Sequence, residues 1–353
     1  MPLLARLLPA PVAVDVRHGA IAGLGALLAD RRIATQGRVA VAVGPGKHGT
    51  GITARLQLAE AEVFRVEAAT VDSAVHLGKR LRAGCYEAVA GIGGGRTIDV
   101  TKFAAHMAGI PMVSVATNLA HDGIASPVSS LEHESGKSSY GVAPPVGVVV
   151  DLDSVAGAPA RLIRSGIGDV VSNLSAIADW ELAAAQAGEP VDGLAVTLAR
   201  SAAQAVLHQP GTAASDEFRT VLAEALILSG MAMTVAGSSR PASGGCHEIL
   251  YAIDQLYPGT GNHGELAGVG ALFCTFLRGE DRTLALTSAC LARHGLPRTP
   301  ADLGLNQAEF TKAVLHAPAT RPGRYTILER LDLDETAIAE RADAFAAAIG
   351  SGA

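Results

Sequence analysis

Apolar residues fall along this chain in two rhythms. Up to about residue 150, short runs rich in Val, Ile and Ala at 12–16, 39–43, 62–66, 88–91 and 111–115 read as strands. Between them lie 19–33, 49–58, 71–83 and 96–108, whose apolar positions recur at helical spacing. That alternation predicts βαβ units feeding a mostly parallel, doubly wound sheet. A polar loop is expected over 117–128, and 138–142 with 146–150 flank Pro144-Pro145 as a predicted hairpin. From residue 159 onward the period becomes helical, over 161–185, 194–207, 218–236, 248–256, 265–277 and 337–349, without strand alternation. The pattern predicts an α/β nucleotide-binding domain over 1–155, an all-α domain over 156–353, and a ligand cleft between them.

Composition narrows the function classes. With 353 residues, 49% of them hydrophobic and 18% charged, the chain can bury two cores. A formal charge of −6, with Lys and Arg scattered, gives no positive stripe for a phosphate backbone, so nucleic acid is not the expected partner. The opening segment lacks the apolar core of an export signal, and the apolar runs 39–43 and 146–150 are far shorter than the roughly 20 residues of a membrane span. Cys85, Cys246, Cys274 and Cys290 form no CxxC pair, which points to a reducing, cytoplasmic setting.

Two glycine-rich turns carry candidate chemistry. Gly91-Ile92-Gly93-Gly94-Gly95-Arg96 follows a strand and opens a helix, where bare backbone, free N–H groups and the Arg96 charge suit a pyrophosphate. Its spacing is not the GxGxxG fingerprint, and a ligand-free tight turn is the alternative. A second turn, Gly44-Pro45-Gly46-Lys47-His48-Gly49, sits at the same place in its own βα unit, and two such turns suggest a dinucleotide.

Three segments of the helical half offer metal ligands. Asp169 and Asn173 stand four apart, on one predicted helix face, while His247 and His263 each lie near a helix start. One carboxylate and two imidazoles leave a position on a divalent ion open for water or a substrate oxygen. A surface or capping role for each histidine is the alternative, and the same donor set describes a non-haem iron triad. Cys246 differs in direction from His247 by about 100° around a helix and reads as a packing residue.

These segments resemble, in order, the motifs of the glycerol-1-phosphate dehydrogenases, within the iron-containing alcohol dehydrogenase and dehydroquinate synthase-like superfamily. The matching stretches are Gly93-Gly94-Gly95-Arg96-Thr97-Ile98-Asp99-Val100-Thr101-Lys102, His121-Asp122-Gly123-Ile124-Ala125-Ser126-Pro127, Gly168-Asp169 with Ser172-Asn173, Ser239-Arg240-Pro241-Ala242-Ser243-Gly244 and His263-Gly264-Glu265. The resemblance implies a Rossmann-like N-terminal domain binding NAD or NADP and an all-α C-terminal domain holding a divalent ion, zinc first, with iron or nickel as alternatives. It implies hydride exchange between a phosphorylated glycerol and its ketone; a homo-oligomer is expected. By the same resemblance Asp169, His247 and His263 are metal ligands and Asp122 is a substrate contact that could relay a proton. Gly93 to Thr97, Thr117, Asn118, Ala120 and Ser126 are cofactor contacts.

Three departures stand out. Gly245-Cys246 replaces the Ser-Glu usual before the ligand histidine, Asn118-Leu119-Ala120 replaces Ala-Ala-Ser, and Tyr251 replaces a second histidine one helical turn on. A phenol cannot carry positive charge near neutral pH, so Tyr251 predicts weaker phosphate affinity and an altered substrate wall. Arg240, Lys137 and Arg161 are the candidate anion contacts that remain. The rival functions are a dehydroquinate synthase-like lyase or cyclase that uses NAD transiently, and a catalytically silent binding protein.

Overall fold

The computed structural model describes residues 10–35, 37–45, 61–134 and 136–351. The helix expected over 49–58 and the 46–49 part of the second glycine turn lie outside the described residues. The chain divides into two compact units, Met1–Ala158 and Pro159–Ala353.

The first unit contains β1 (Ala13–Arg17), α1 (Leu24–Leu28), β2 (Val39–Val43), β3 (Glu62–Arg65), α2 (Val71–Ala83), β4 (Ala88–Gly93), α3 (Gly95–Ala108), β5 (Met112–Ala116), β6 (Val128–His133), β7 (Gly136–Gly141), β8 (Gly147–Asp151) and α4 (Leu152–Ala156). Six strands form one sheet in the order β1-β8-β5-β4-β2-β3, with every pair parallel. The central strands are continuous apolar runs because helices cover both faces of a parallel sheet. Val41, Ala90, Ile92, Val113 and Val115 are fully buried in its core. From β2 the chain runs outward to β3, then returns to lay β4 on the other side of β2. Strand order therefore reverses between β2 and β4, the position at which sheets of this class open a crevice beyond the strand ends.

The predicted hairpin across Pro144-Pro145 is corrected. The hairpin pairs β6 with β7 antiparallel, Val128 opposite Gly141, and β6 occupies sequence expected to start only after a loop. β8 instead inserts between β1 and β5. An unbroken Gly-Val-Val-Val run belongs inside a two-sided sheet, whereas the half-exposed β7, Gly-Lys-Ser-Ser-Tyr-Gly, suits a surface ribbon.

In the second unit all the described secondary structure is helical. It comprises α5 (Ala160–Val171), α6 (Asn173–Ala187), α7 (Gly193–His208), α8 (Asp216–Ala236), α9 (Gly245–Leu256), α10 (His263–Arg278), α11 (Asp281–Arg293), α12 (Gln307–Thr320), α13 (Ile327–Leu331) and α14 (Glu335–Ser351). The single helix expected over 161–185 is two, separated at Ser172, and α11 to α13 were not legible as periodic segments. By length and hydropathy α8 could cross a bilayer, yet Phe218, Leu222, Leu226 and Met233 are buried in the bundle, as in a core helix.

Backbone-to-backbone contact locks α10 in place. A Cβ on Gly264 would overlap the Ser165 carbonyl of α5, and one on Gly168 would overlap the Gly264 carbonyl. On the neighbouring side, a Cβ on Gly270 would lie 2.5 Å from the Cys246 carbonyl oxygen of α9. The Gly264 N–H donates to Ser165 Oγ at 3.0 Å. No side-chain rotation relieves such overlaps, since the obstructing atoms are main chain.

Two outcomes follow from this packing. Gly264→Ala is expected to destabilise the protein by about 3 kcal/mol or more, the upper range for overpacking, read from urea unfolding. His294 is buried against Phe218, ring centroids 4.5 Å apart, and burial followed by the nearby Arg293 charge pushes its pKa down to about 4. The unfolded value is about 6.5, so this contribution to stability is complete above that pH and is lost as pH falls towards about 4. His294→Gln should flatten the dependence of Tm on pH in that window.

Candidate metal centre and cofactor turn

Three helices each deliver one donor to a common point in the second unit. Asp169 lies near the end of α5, His247 in the first turn of α9, and His263 is the first residue of α10. Asp169 Oδ1 is 3.8 Å from His247 Nε2 and 3.3 Å from His263 Nε2, and one donor atom from each residue lies within 4.8 Å of the others. Ligands about 2.1 Å from a tetrahedral ion stand about 3.4 Å apart, so the set fits a single cation. Asp169 and His247 are buried, while the His263 side chain keeps 29% of its surface exposed and marks the open side. Burial pushes the Asp169 carboxyl up. Hydrogen bonds from His247 and His263, and their charges, outweigh it and hold the group well below the usual carboxylate range.

Local chemistry fixes each donor. The Asn262 N–H and Nδ2 donate to Glu265 Oε2 at 2.8 and 3.0 Å, a cap that starts α10 at His263. Cys246 Sγ lies 3.3 Å from His247 Nδ1, which orients the ring so that Nε2 faces Asp169. Cys246 is fully buried, as a packing residue should be, and burial first of all pushes its thiol up to about 11. The fully buried Asp179 ties the helices together. It accepts from the Gly245 N–H at 2.8 Å, from Arg278 Nη1 at 2.9 Å and from the Ile327 N–H at 3.0 Å. Sequence reading missed both Asp179 and Arg278; a lone acid in an otherwise apolar helical stretch was the available signal. Asn173 does not join the donors. It lies beyond the break at Ser172, and its Nδ2 donates to Ser229 Oγ and to the Ala199 carbonyl.

In the first unit, β4 ends at Gly93 and α3 begins at Gly95, with Gly94 as an N-cap that carries no side chain. Main-chain N–H groups of the first turn have no partner inside their helix and suit an anion. A Cβ on Gly44 or Gly93 would lie 2.7 Å from Thr97 Oγ1; one on Gly94 would overlap Asn118 and one on Gly95 would overlap His121. The Thr117 N–H donates to the Gly93 carbonyl at 3.0 Å. Gly44, Gly93, Gly94, Gly95, Thr97, Thr117 and Asn118 therefore gather at the ends of β2, β4 and β5, on the switch point of the sheet. Arg96 is exposed, Ala120 half-buried and Ser126 buried.

Asp122 opens a short 3-10 turn, Asp122–Ile124, held by a residue that the sequence reading did not single out. Lys102 is buried, and its Nζ donates to the carbonyls of Gly123 at 2.7 Å, Ser126 at 3.2 Å and Val128, and pairs with Asp99 at 3.2 Å. A lysine flanked by buried helix residues was the signal.

The Tyr251 and His247 ring centroids are 6.2 Å apart. Of the candidate anion contacts, Lys137 and Arg161 are exposed, and Arg240 is committed to Glu189, with Nε at 2.7 Å from Oε1, and to the Tyr325 carbonyl. Arg321, which sequence reading did not single out, donates to the Tyr251 hydroxyl at 2.9 Å.

A family model for iron-containing alcohol dehydrogenases matches residues 15–159. The chain is 40% identical over 253 residues to a Methanosphaerula palustris protein named glycerol-1-phosphate dehydrogenase (NAD(P)+), covering 71% of this chain and 70% of that one. It is 36% identical over 315 residues to the protein of the same name from Methanothermobacter thermautotrophicus, covering 88% and 90%. A solved structure of a probable glycerol dehydrogenase from Sinorhizobium meliloti superimposes with a TM-score of 0.77 at 22% identity, over 98% of this chain and 99% of that one, so the fold is shared.

Lys102→Met leaves Asp99 and three carbonyls without their cation. The expected loss of stability is about 3 kcal/mol, the lower range for breaking a buried ion pair, measured by denaturant unfolding.

Proposed function

The chain belongs to the glycerol-1-phosphate dehydrogenase family of iron-containing alcohol dehydrogenases, and from that premise we propose that it is a metal-dependent, NAD(P)-linked oxidoreductase interconverting a small phosphorylated alcohol and its ketone. Glycerol 1-phosphate and dihydroxyacetone phosphate are the pair to which the relatives' name leads. The observation that carries the reading is the convergence of one carboxylate and two imidazoles, from three separate helices, on one point.

Held by Asp169, His247 and His263, a divalent ion would supply Lewis-acid polarisation of a carbonyl or alcohol oxygen, and this nitrogen-and-oxygen donor set suits zinc. Asp169 contributes a buried negative charge at the centre, and the partial exposure of His263 leaves an approach for substrate. Cys246 keeps the His247 ring turned so that the nitrogen facing Asp169 is the donor. In the other unit, the first-turn N–H groups of α3 and the bare Gly93, Gly94 and Gly95 would take the cofactor pyrophosphate. Asn118 stands against the bare Gly94, which narrows this turn. Asp122, on the turn whose Gly123 carbonyl Lys102 holds, would contact substrate and hold the proton exchanged with its oxygen.

Purified protein loaded with zinc should oxidise NADH or NADPH in step with dihydroxyacetone phosphate reduction. Asp169→Ala and His263→Ala should lower bound zinc and turnover by more than the roughly 100-fold typical of outer-shell changes, with metal measured by mass spectrometry. Retention of zinc and rate by both variants would remove the site. Product formed without net consumption of NAD(P)H would indicate the lyase reading instead.

A further inference from the structure

The two imidazoles of the donor cluster are not supported alike. His263 keeps 29% of its side-chain surface exposed and so has access to solvent. His247 is buried, and among the described residues the hydrogen-bond partner of its Nδ1 is Cys246 Sγ, at 3.3 Å. Adjacency in sequence does not produce that contact. Consecutive helix positions differ in direction by about 100°, so sulfur and ring meet only in particular rotamers. The backbone around them is fixed from two sides. Asp179 Oδ2 accepts from the Gly245 N–H at 2.8 Å, and the Cys246 carbonyl oxygen stands 2.5 Å from where a Cβ on Gly270 would be. Cys246 itself is fully buried, in an apolar cluster with Ala176 and Ala271. The sulfur cannot leave the ring without displacing packed groups.

We propose that Cys246 is a positioning residue for the metal centre, whose thiol accepts from the Nδ1–H of His247 and thereby sets how tightly that histidine holds an ion. This rests on the metal-dependent reading above and deepens it by naming what tunes the site.

The proton inventory of the ring carries the argument. An imidazole ligates through a nitrogen that bears no proton. His247 Nε2 is the nitrogen that faces Asp169, at 3.8 Å, so the ligating form keeps its ring proton on Nδ1, directed at Cys246. A cation at Nε2 would draw electron density from the ring and make Nδ1–H a stronger donor. An acceptor behind the ring therefore favours the loaded centre over the empty one. Burial leaves this N–H no bulk solvent to turn to, so the acceptor has to come from the protein.

Sulfur gives this support a particular strength. The usual acceptor behind a ligating histidine is a carboxylate, a backbone carbonyl or water, whereas a thiol sulfur is a weak acceptor without a full charge. It lends the ring less electron density than a carboxylate would. The ion is then held less tightly and keeps more of its power to polarise an oxygen. Grip and Lewis acidity at this centre are thus set together by one atom outside the ligand set.

The test measures zinc affinity by competition with a chelator of known strength, for wild type, Cys246→Val and Cys246→Ser. Valine fills the space of the thiol but offers Nδ1 no partner, while serine offers a hydroxyl and fills less. Cys246→Val should bind zinc about tenfold more weakly than wild type, the lower end of the range for outer-shell changes, and Cys246→Ser should lie between the two. The absorption spectrum of the cobalt-loaded protein, which reports ligand geometry, should change more in Cys246→Val than in Cys246→Ser. A thiol that only packs predicts the reverse order, with valine near wild type and serine weakest. That order overturns the inference, as does equal zinc affinity in all three proteins or a wild type that binds no zinc. If Cys246→Val does not fold, Cys246→Ala takes its place and should bind zinc more weakly than Cys246→Ser. The expected order of zinc affinities in a protein that oxidises neither NADH nor NADPH with dihydroxyacetone phosphate supports the role of Cys246 and removes the oxidoreductase reading instead.

Discussion

The main chain of Ser165 occupies the space that a side chain on residue 264 would need, and the convergence of Asp169, His247 and His263 depends on that contact. Gly264 and Gly168 let α10 and α5 touch through their backbones, and Gly270 lets α10 touch α9 in the same way. His263, one residue before Gly264, and Asp169, one residue after Gly168, are carried to 3.3 Å by this approach. Close backbone approach at these glycines shortens the distance that the side chains beside them have to span. Asp179 reinforces the arrangement by joining the start of α9 to the end of α10 through Gly245 and Arg278.

The first unit uses the same device at its glycine-rich turn. Gly93, Gly94 and Gly95 admit Thr97, Asn118 and His121 against bare backbone at the point where strand order reverses. The loop that follows is secured from within by Lys102, whose ammonium group takes three carbonyls and one carboxylate. Its buried charge is tolerated because every nearby partner is polar and in reach.

Charge divides the second unit into settled and unsettled arginines. Arg240 and Arg278 are matched by Glu189 and Asp179 and serve the fold. Among the described residues neither Arg321 nor Arg324 forms an ion pair, and Arg321 donates to the hydroxyl of Tyr251, whose ring adjoins His247. Tyr251 therefore has to be read with the cation beside it.

Local pattern determined much of this protein. Most strand and helix positions in the first unit and the all-helical character of the second could be read from apolar rhythm and glycine-rich turns, because each is a property of a short segment, whereas Asp169, His247 and His263 were named as candidate donors only through motifs that resemble a family. Tertiary structure decided what short segments do not encode. It moved Val148 to Val150 from a hairpin into the sheet and turned Asn173 away from Asp169 at the Ser172 break. It also brought Arg321 and Arg324 to Tyr251, across 70 residues in the case of Arg321. The physical reason is that periodicity reports which face of an element is apolar, whereas the partner of that face, and the charge that ends beside a given side chain, depend on how closely distant backbones are able to approach.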